Sequence, residues 1–293
     1  MVADKTAGRG RIALELHGSE AVFTELSSAY PLKLLSPRTR RVGLVYLITY
    51  GGGLVSGDQV ALSVDVGLGA NLVLLSQGST KVFKFRPGQR AASTDVDAPQ
   101  VTTQRMDFAV ASSGSLFLLP DPVTCFAKAS YNQIQTFRLA PDASLAVLDW
   151  VTSGRKSRGE EWVFSRYYSV NEIVVDGRRV AKDVMLLENE DEKENTRTLA
   201  SRLEPYGCYA TLLLYGPQVQ GVVSALTEEY GRIQVFKTNE RPGLLWSFSG
   251  FGDGGGVVRI AGKETEEVRR WIGNALRPLE MVVGREIFQR IIS

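Results

Sequence analysis

Along residues 11–175, apolar and polar positions alternate over short stretches that Gly, Pro, Asp and Ser interrupt. Residues 12–16, 42–49, 60–66, 71–75, 115–119, 132–139 and 162–170 each read as a strand. An extended chain points successive side chains to opposite faces, so one buried face produces this period of two. Many such runs in succession predict a layered antiparallel β architecture.

Beyond about residue 190 the period changes. Leu199 and Leu203, one helical turn apart, suggest a short helix over 195–203, ended by Pro205 and Gly207. After Gly216-Pro217, the residues Val219, Val222, Val223, Leu226 and Tyr230 recur at three- and four-residue spacing, which predicts a helix over 217–230. A second apolar stripe, Val268, Trp271, Ile272, Ala275 and Leu276, follows Glu264, Glu266 and Glu267, whose charges suit a helix N-terminus; the predicted helix spans 264–277 and Pro278 ends it. Residues 233–236, 244–248 and 257–260 read as strands between the helices. The chain is thus expected to be mainly β, a single domain over 1–293 that is β-rich at 11–190 and mixed at 191–293. A few helices fall toward the C-terminus, and no firm boundary marks the change.

At 293 residues and 44% hydrophobic, the chain can bury a substantial core without disulfides. Its 34 Lys and Arg nearly balance 32 Asp and Glu, which argues against a nucleic-acid partner, because such proteins concentrate basic charge. No run of about 18 apolar residues exists, so no membrane helix is expected. Cys125 and Cys208 stand far apart behind no secretory pattern, which points to a reducing, cytoplasmic setting and to core thiols. The acidic run from Glu188 to Glu194 reads as a solvated loop.

Several chemistries lack their residues. The single His17 cannot build a histidine-rich metal centre. The only Gly-Lys pair, Gly262-Lys263, precedes Glu264 rather than Ser or Thr, and the glycine triplets at 51–53 and 254–256 lack dinucleotide-loop spacing. GxSxG is absent. No catalytic residue and no tightly bound cofactor is expected.

Five blocks are more particular: 30–33 (YPLK), 47–58 (LITYGGGLVSGD), 76–81 (SQGSTK), 119–126 (LPDPVTCF) and 149–162 (DWVTSGRKSRGEEW). Each joins Gly or Pro geometry to a few polar side chains at the end of an apolar strand. Asp58, Asp121, Asp149, Glu160 and Glu161 offer hard oxygen ligands, and Arg155, Lys156 and Arg158 offer balancing charge. Turn capping and ordinary ion pairing explain the same residues. Activation of water in a metal-dependent hydrolase, and a pure protein-binding module, also stay open.

The order of these blocks resembles the urease accessory protein family of the UreD type, called UreH in some organisms, over most of residues 11–293. Where the family often has Gly-Gly-Asp, this chain has Ser56-Gly57-Asp58, and Cys125 replaces a common Pro or small residue. The resemblance implies a β-rich urease maturation factor without turnover of its own. It implies a scaffold that bridges a UreF-type helical accessory protein, and through it a UreG-type GTPase, to apo-urease and helps Ni(II) reach the active site along an internal polar passage. On that reading Asp58, Asp121, Asp149 and Glu160 are candidates to line or flank a transient nickel route. Trp246, Trp271 and Ile272 exceed what one short helix and a strand need for packing, and are expected to expose a partner-binding surface.

Overall fold

The computed structural model describes residues 7–84, 101–189, 197–236, 243–252 and 254–292. The β-rich part runs β1 (Arg9–His17), β2 (Glu20–Ser28), β3 (Leu32–Leu35), β4 (Gly43–Thr49), β5 (Gln59–Val66), β6 (Asn71–Ser76), β7 (Thr80–Val82), β8 (Thr102–Val110), β9 (Ser115–Leu118), β10 (Val123–Cys125), β11 (Ser130–Leu139), β12 (Ser144–Thr152), β13 (Arg166–Val175) and β14 (Arg178–Glu188). Then follow α1 (Leu199–Leu203), β15 (Cys208–Tyr215), α2 (Gln220–Phe236), β16 (Leu244–Phe251), β17 (Gly255–Gly262), α3 (Thr265–Ala275), α4 (Glu280–Val283) and α5 (Arg285–Ile292).

The strands form two stacked sheets. One has the order β14-β13-β11-β8-β5-β1-β2; the other has β16-β17-β15-β12-β9-β6-β4-β3, with β7 and β10 attached beside β12. The mainly β expectation stands, but the antiparallel pairing is corrected. The pairs β1·β5, β5·β8, β8·β11 and β11·β13 run parallel in the first sheet, as do β4·β6, β6·β9 and β9·β12 in the second. The chain crosses to the other sheet and back between neighbours, so the return strand does the work that a crossover helix does in a βαβ unit. Strand-length runs separated by turn residues look the same whether the next strand pairs alongside or crosses over.

Two cores result. One fills the space between the sheets, with Ile12, Leu62, Phe108, Phe137, Leu145 and Tyr167 among its members. The other lies between the outer face of the larger sheet and the helices, and includes Leu44, Phe117, Trp150, Leu212, Leu226 and Phe288. The larger sheet is therefore covered on both faces, and every residue of β12 and all but Tyr209 of β15 are buried. Such strands read as continuous apolar runs, as residues 210–214 do.

α1, α2 and α3 form where the 3.6-residue period predicts helices, whereas α4 and α5 lie where none is expected from the sequence reading. Thr198 caps α1 by accepting from Ser201 N–H at 3.2 Å. Residues 233–236, expected as a strand, are instead the last turn of α2.

The expected exposure of Trp271 and Ile272 is also corrected. Both are buried in the helix-side core, at 3% and 4% exposure. Trp246 is half-buried, its ring 4.9 Å from Trp271 and 5.3 Å from Tyr230. The amphipathic stripe of α3 faces the sheet itself, and this absorbs the apolar area that sequence left without a partner.

Candidate functional site

Because β4, β6, β9 and β12 run in the same direction, the loops that leave them emerge together. Leu32 pairs with Thr49, which puts residues 30–33 at the same end, and β10 pairs with both β7 and β12 there. All five signature blocks, separated by up to half the chain, thus gather at one end of the stack. The opposite end carries plain turns, and His17 ends β1 there.

The last block is held by a dense set of bonds. Trp162 N–H donates to Ser153 O at 2.6 Å, and the Trp162 indole donates to Tyr206 O at 3.0 Å. Gly154 has φ +123°, and a Cβ there would stand 2.5 Å from Glu160 O, so only glycine closes the loop. The Arg155 guanidinium grips both Glu160 carboxylate oxygens and lies 4.2 Å over the Phe126 ring. That guanidinium, chiefly through its hydrogen bonds, holds the Glu160 carboxyl below the usual carboxylate range.

Asp121 is equally committed. It accepts from Gly78 N–H at 3.0 Å and from Arg269 of α3 at 2.5 Å, while its own N–H donates to Ser76 Oγ at 2.8 Å. Arg269 lies 5.2 Å over Trp150, whose indole donates to Pro120 O at 2.8 Å. Asp58 is buried, and one of its carboxylate oxygens accepts from Val55 N–H at 2.8 Å.

Asp149 is placed differently. It neighbours Trp150 in sequence, yet in a strand the two point to opposite faces: Trp150 to the helices, Asp149 into the space between the sheets. There it accepts from Gln133 Nε2 at 3.1 Å, Tyr167 Oη at 2.9 Å, Asn171 Nδ2 at 2.7 Å and Ser169 Oγ. Burial pushes its carboxyl up, against the opposing pull of the Ser169, Asn171 and Tyr167 hydrogen bonds.

These groups belong to a longer polar seam. On the smaller sheet, Gln133 lies beside Ser169, and Gln135 beside Asn171, which in turn lies opposite Asp183. On the larger sheet, Asp149 lies opposite Thr211, and Thr211 opposite Arg259. Arg259 closes the row by donating to Asp183 at 2.6 Å, where the seam reaches the edge of the stack. Gln135 Oε1 and Asn171 Oδ1 are buried acceptors with no donor among the described residues.

Asp58, Asp121 and Glu160 therefore share one end of the stack without forming one site, and Asp149 lies apart from them between the sheets. No two of them share a partner in the hydrogen bonds described above, and among the described residues no group of three or more His, Cys, Asp or Glu could hold a metal ion. Cys125 and Cys208 are buried, and burial pushes both thiols up, that of Cys208 to about 12, as core thiols behave. Sequence reading missed Gln133, Gln135, Ser169, Asn171, Asp183 and Arg259. Their signal was parity: Gln133 and Gln135 alternate in step with the core residues Tyr131 and Phe137, and Ser169 and Asn171 with Tyr167 and Ile173.

Comparison with known proteins gives the family. The model of the UreD urease accessory protein family matches residues 6–292. Urease accessory protein 4 of Cryptococcus neoformans is 39% identical over 98% of this chain and 95% of its own length. Urease accessory protein D of Arabidopsis thaliana is 33% identical, covering 94% of this chain and 98% of its own. Urease accessory protein UreD of Sorangium cellulosum is 34% identical over 97% and 84%. With its five blocks gathered at one end of a two-sheet stack and a family match over nearly its whole length, this chain belongs to the UreD urease accessory protein family.

Proposed function

We propose that this chain acts in urease maturation as a scaffold without turnover of its own, working in the cytoplasm. It bridges a helical accessory protein, and through that a GTPase, to apo-urease, and it assists the passage of Ni(II) as cargo. The observation that carries the nickel part of this reading is the buried polar seam between the sheets.

A fold stabilised only by packing would fill that space with hydrocarbon, because each buried polar group must recover in hydrogen bonds what it loses in hydration. Here carboxylate, amide and hydroxyl oxygens line a row that runs from Asp149 to the sheet edge at Asp183 and Arg259. Oxygen donors without imidazole or thiolate hold Ni(II) weakly, which suits transfer to a better site rather than storage. Asp149 sits within the row, whereas Asp58, Asp121 and Glu160 flank the signature end. The ion pairs of Asp121 and Glu160 support the view that those two acids shape loops for partners as well as any route.

The test is urease matured with Asp58→Asn, Asp121→Asn, Asp149→Asn or Glu160→Gln variants, with nickel content and urease activity measured and each complex checked by co-purification. Loss of nickel loading in an intact complex is expected first for Asp149→Asn. If all four variants keep the complex and load nickel at the normal rate and extent, the acidic route is wrong, and a scaffold for binding alone remains.

A further inference from the structure

Two of the signature blocks meet on the rim of the crowded end. Tyr30 stands in the turn before β3 and Tyr50 in the turn after β4, with ring centroids 5.8 Å apart and Lys33 Nζ 5.7 Å over the Tyr50 ring. The backbone beneath is tied down: Tyr50 N–H donates to Pro31 O at 3.0 Å, and Gly8 N–H donates to Tyr30 O at 2.7 Å. Tyr30 is nevertheless 64% exposed and Tyr50 47%. Gly51 and Gly52 leave the space beside Tyr50 open, since a Cβ at either would meet nothing within 4 Å. Neither ring belongs to either core, so the fold gains little from them. Exposed aromatic side chains held in place before binding are the kind that contribute most when a partner covers them, because little freedom remains to be lost.

Charge defines what would cover them. Lys33 sits on Tyr50, and the Lys81 backbone abuts Gly53. Both cations are exposed, and neither forms an ion pair among the described residues. Asp58, the acid of the block that carries Tyr50, is buried. A second copy of this chain meeting the corner symmetrically would oppose like charges. A nucleic-acid partner would need concentrated basic charge, and the chain's 34 Lys and Arg nearly balance its 32 Asp and Glu.

We propose that the corner formed by Tyr30, Tyr50 and Lys33, with Lys81 beside it, is a docking surface for a folded protein partner that presents carboxylates around an apolar contact. The proposal rests on the scaffold reading above and names one surface through which that scaffold works.

The full-length chain is mixed separately with the helical accessory protein and with apo-urease of the same organism, and affinity is measured at low and high ionic strength. Tyr30→Ala/Tyr50→Ala is expected to weaken one of these complexes by roughly 30-fold. Lys33→Glu/Lys81→Glu is expected to weaken the same complex and flatten its salt dependence. Leu68→Glu, at the opposite end and 71% exposed in the wild type, is expected to change neither complex. An unchanged melting temperature in each variant verifies the fold, which exposed positions leave intact. If the wild type binds its partners and matures urease while both double variants bind with wild-type affinity, the corner is not a docking surface and the scaffold reading stands. Weakening of self-association or of single-stranded DNA binding instead of the protein complexes also overturns the proposal. A wild type that binds neither partner overturns the scaffold reading, and the docking surface with it.

Discussion

Asp149 in the larger sheet accepts a 2.7 Å hydrogen bond from Asn171 in the smaller one, so the two layers are joined by a buried carboxylate as well as by hydrocarbon. Three further donors, Gln133, Tyr167 and Ser169, converge on the same group. Replacing Asp149 by Leu leaves four buried donors facing an apolar side chain. A loss of about 3–5 kcal/mol is expected, against about 1–2 kcal/mol for Asp149→Asn, which keeps one acceptor. Urea unfolding at neutral pH measures both; equal stability of the Leu variant and the wild type would show that the seam does not bind the sheets together.

The same carboxylate gives stability a pH dependence of definite sign. Burial raises its native pKa above the 3.8 of the unfolded chain. As pH rises from 3.8 toward the native value, the unfolded chain releases the proton first, so Asp149 lowers stability over that window and the loss is complete above it. Glu160 acts in the opposite sense: Arg155 depresses its native pKa below 4.5, so its contribution is full above 4.5 and disappears as pH falls through the native value. Urea midpoints measured across the acid range should show the advantage of wild type over Asp149→Asn shrinking as pH rises from 3.8. The advantage over Glu160→Gln should shrink as pH falls below 4.5.

Arg269 couples the helical layer to the signature end, through its bond to Asp121 and its position over Trp150. Arg269→Ala removes the charge partner of a mostly buried acid together with the stacking, at an expected cost of about 1–3 kcal/mol. Because Asp121 also orders Gly78, faster proteolysis should appear at residues 76–81 before the rest of the chain opens. Limited digestion with mapping of the first cut checks this, and a first cut elsewhere would mean the anchor is not needed for that loop.

Much of this architecture was legible in the sequence, and the exceptions have physical causes. α2 and α3 were plain because the spacing of Val219 to Tyr230 and of Val268 to Leu276 repeats over several turns, whereas α4 and α5, short and behind Pro278, went unread. The parallel pairing was not, since alternation fixes which face a residue takes but not which strand lies beside it. β12 carried a warning: its sequence SLAVLDWVT is apolar on both faces, as in a strand covered on both sides, and that leaves Trp271 and Ile272 a surface to pack against. The five blocks were found by their Gly and Pro geometry. The seam escaped because Gln, Ser and Asn at inward positions resemble surface residues until the parity of Tyr131, Phe137, Tyr167 and Ile173 is followed through them.

At the edge of the stack the seam ends on an unequal pair: the Arg259 side chain is 58% exposed, whereas that of Asp183 is 10% exposed. Removing Arg259 leaves a buried carboxylate without its counter-charge, which is far more costly than losing an exposed arginine. Arg259→Met should therefore destabilise the chain by about 3 kcal/mol, while Arg259→Met/Asp183→Leu, which removes the stranded charge as well, should recover most of that loss. The two variants also separate structure from function. If the row conducts Ni(II), the double variant folds and binds its partners but closes the polar end of the row with hydrocarbon, so urease matured with it should carry less nickel than with wild type. Urea unfolding reads the first effect, and nickel content of the matured urease the second. A stable double variant that still loads urease fully would move the nickel path away from this edge.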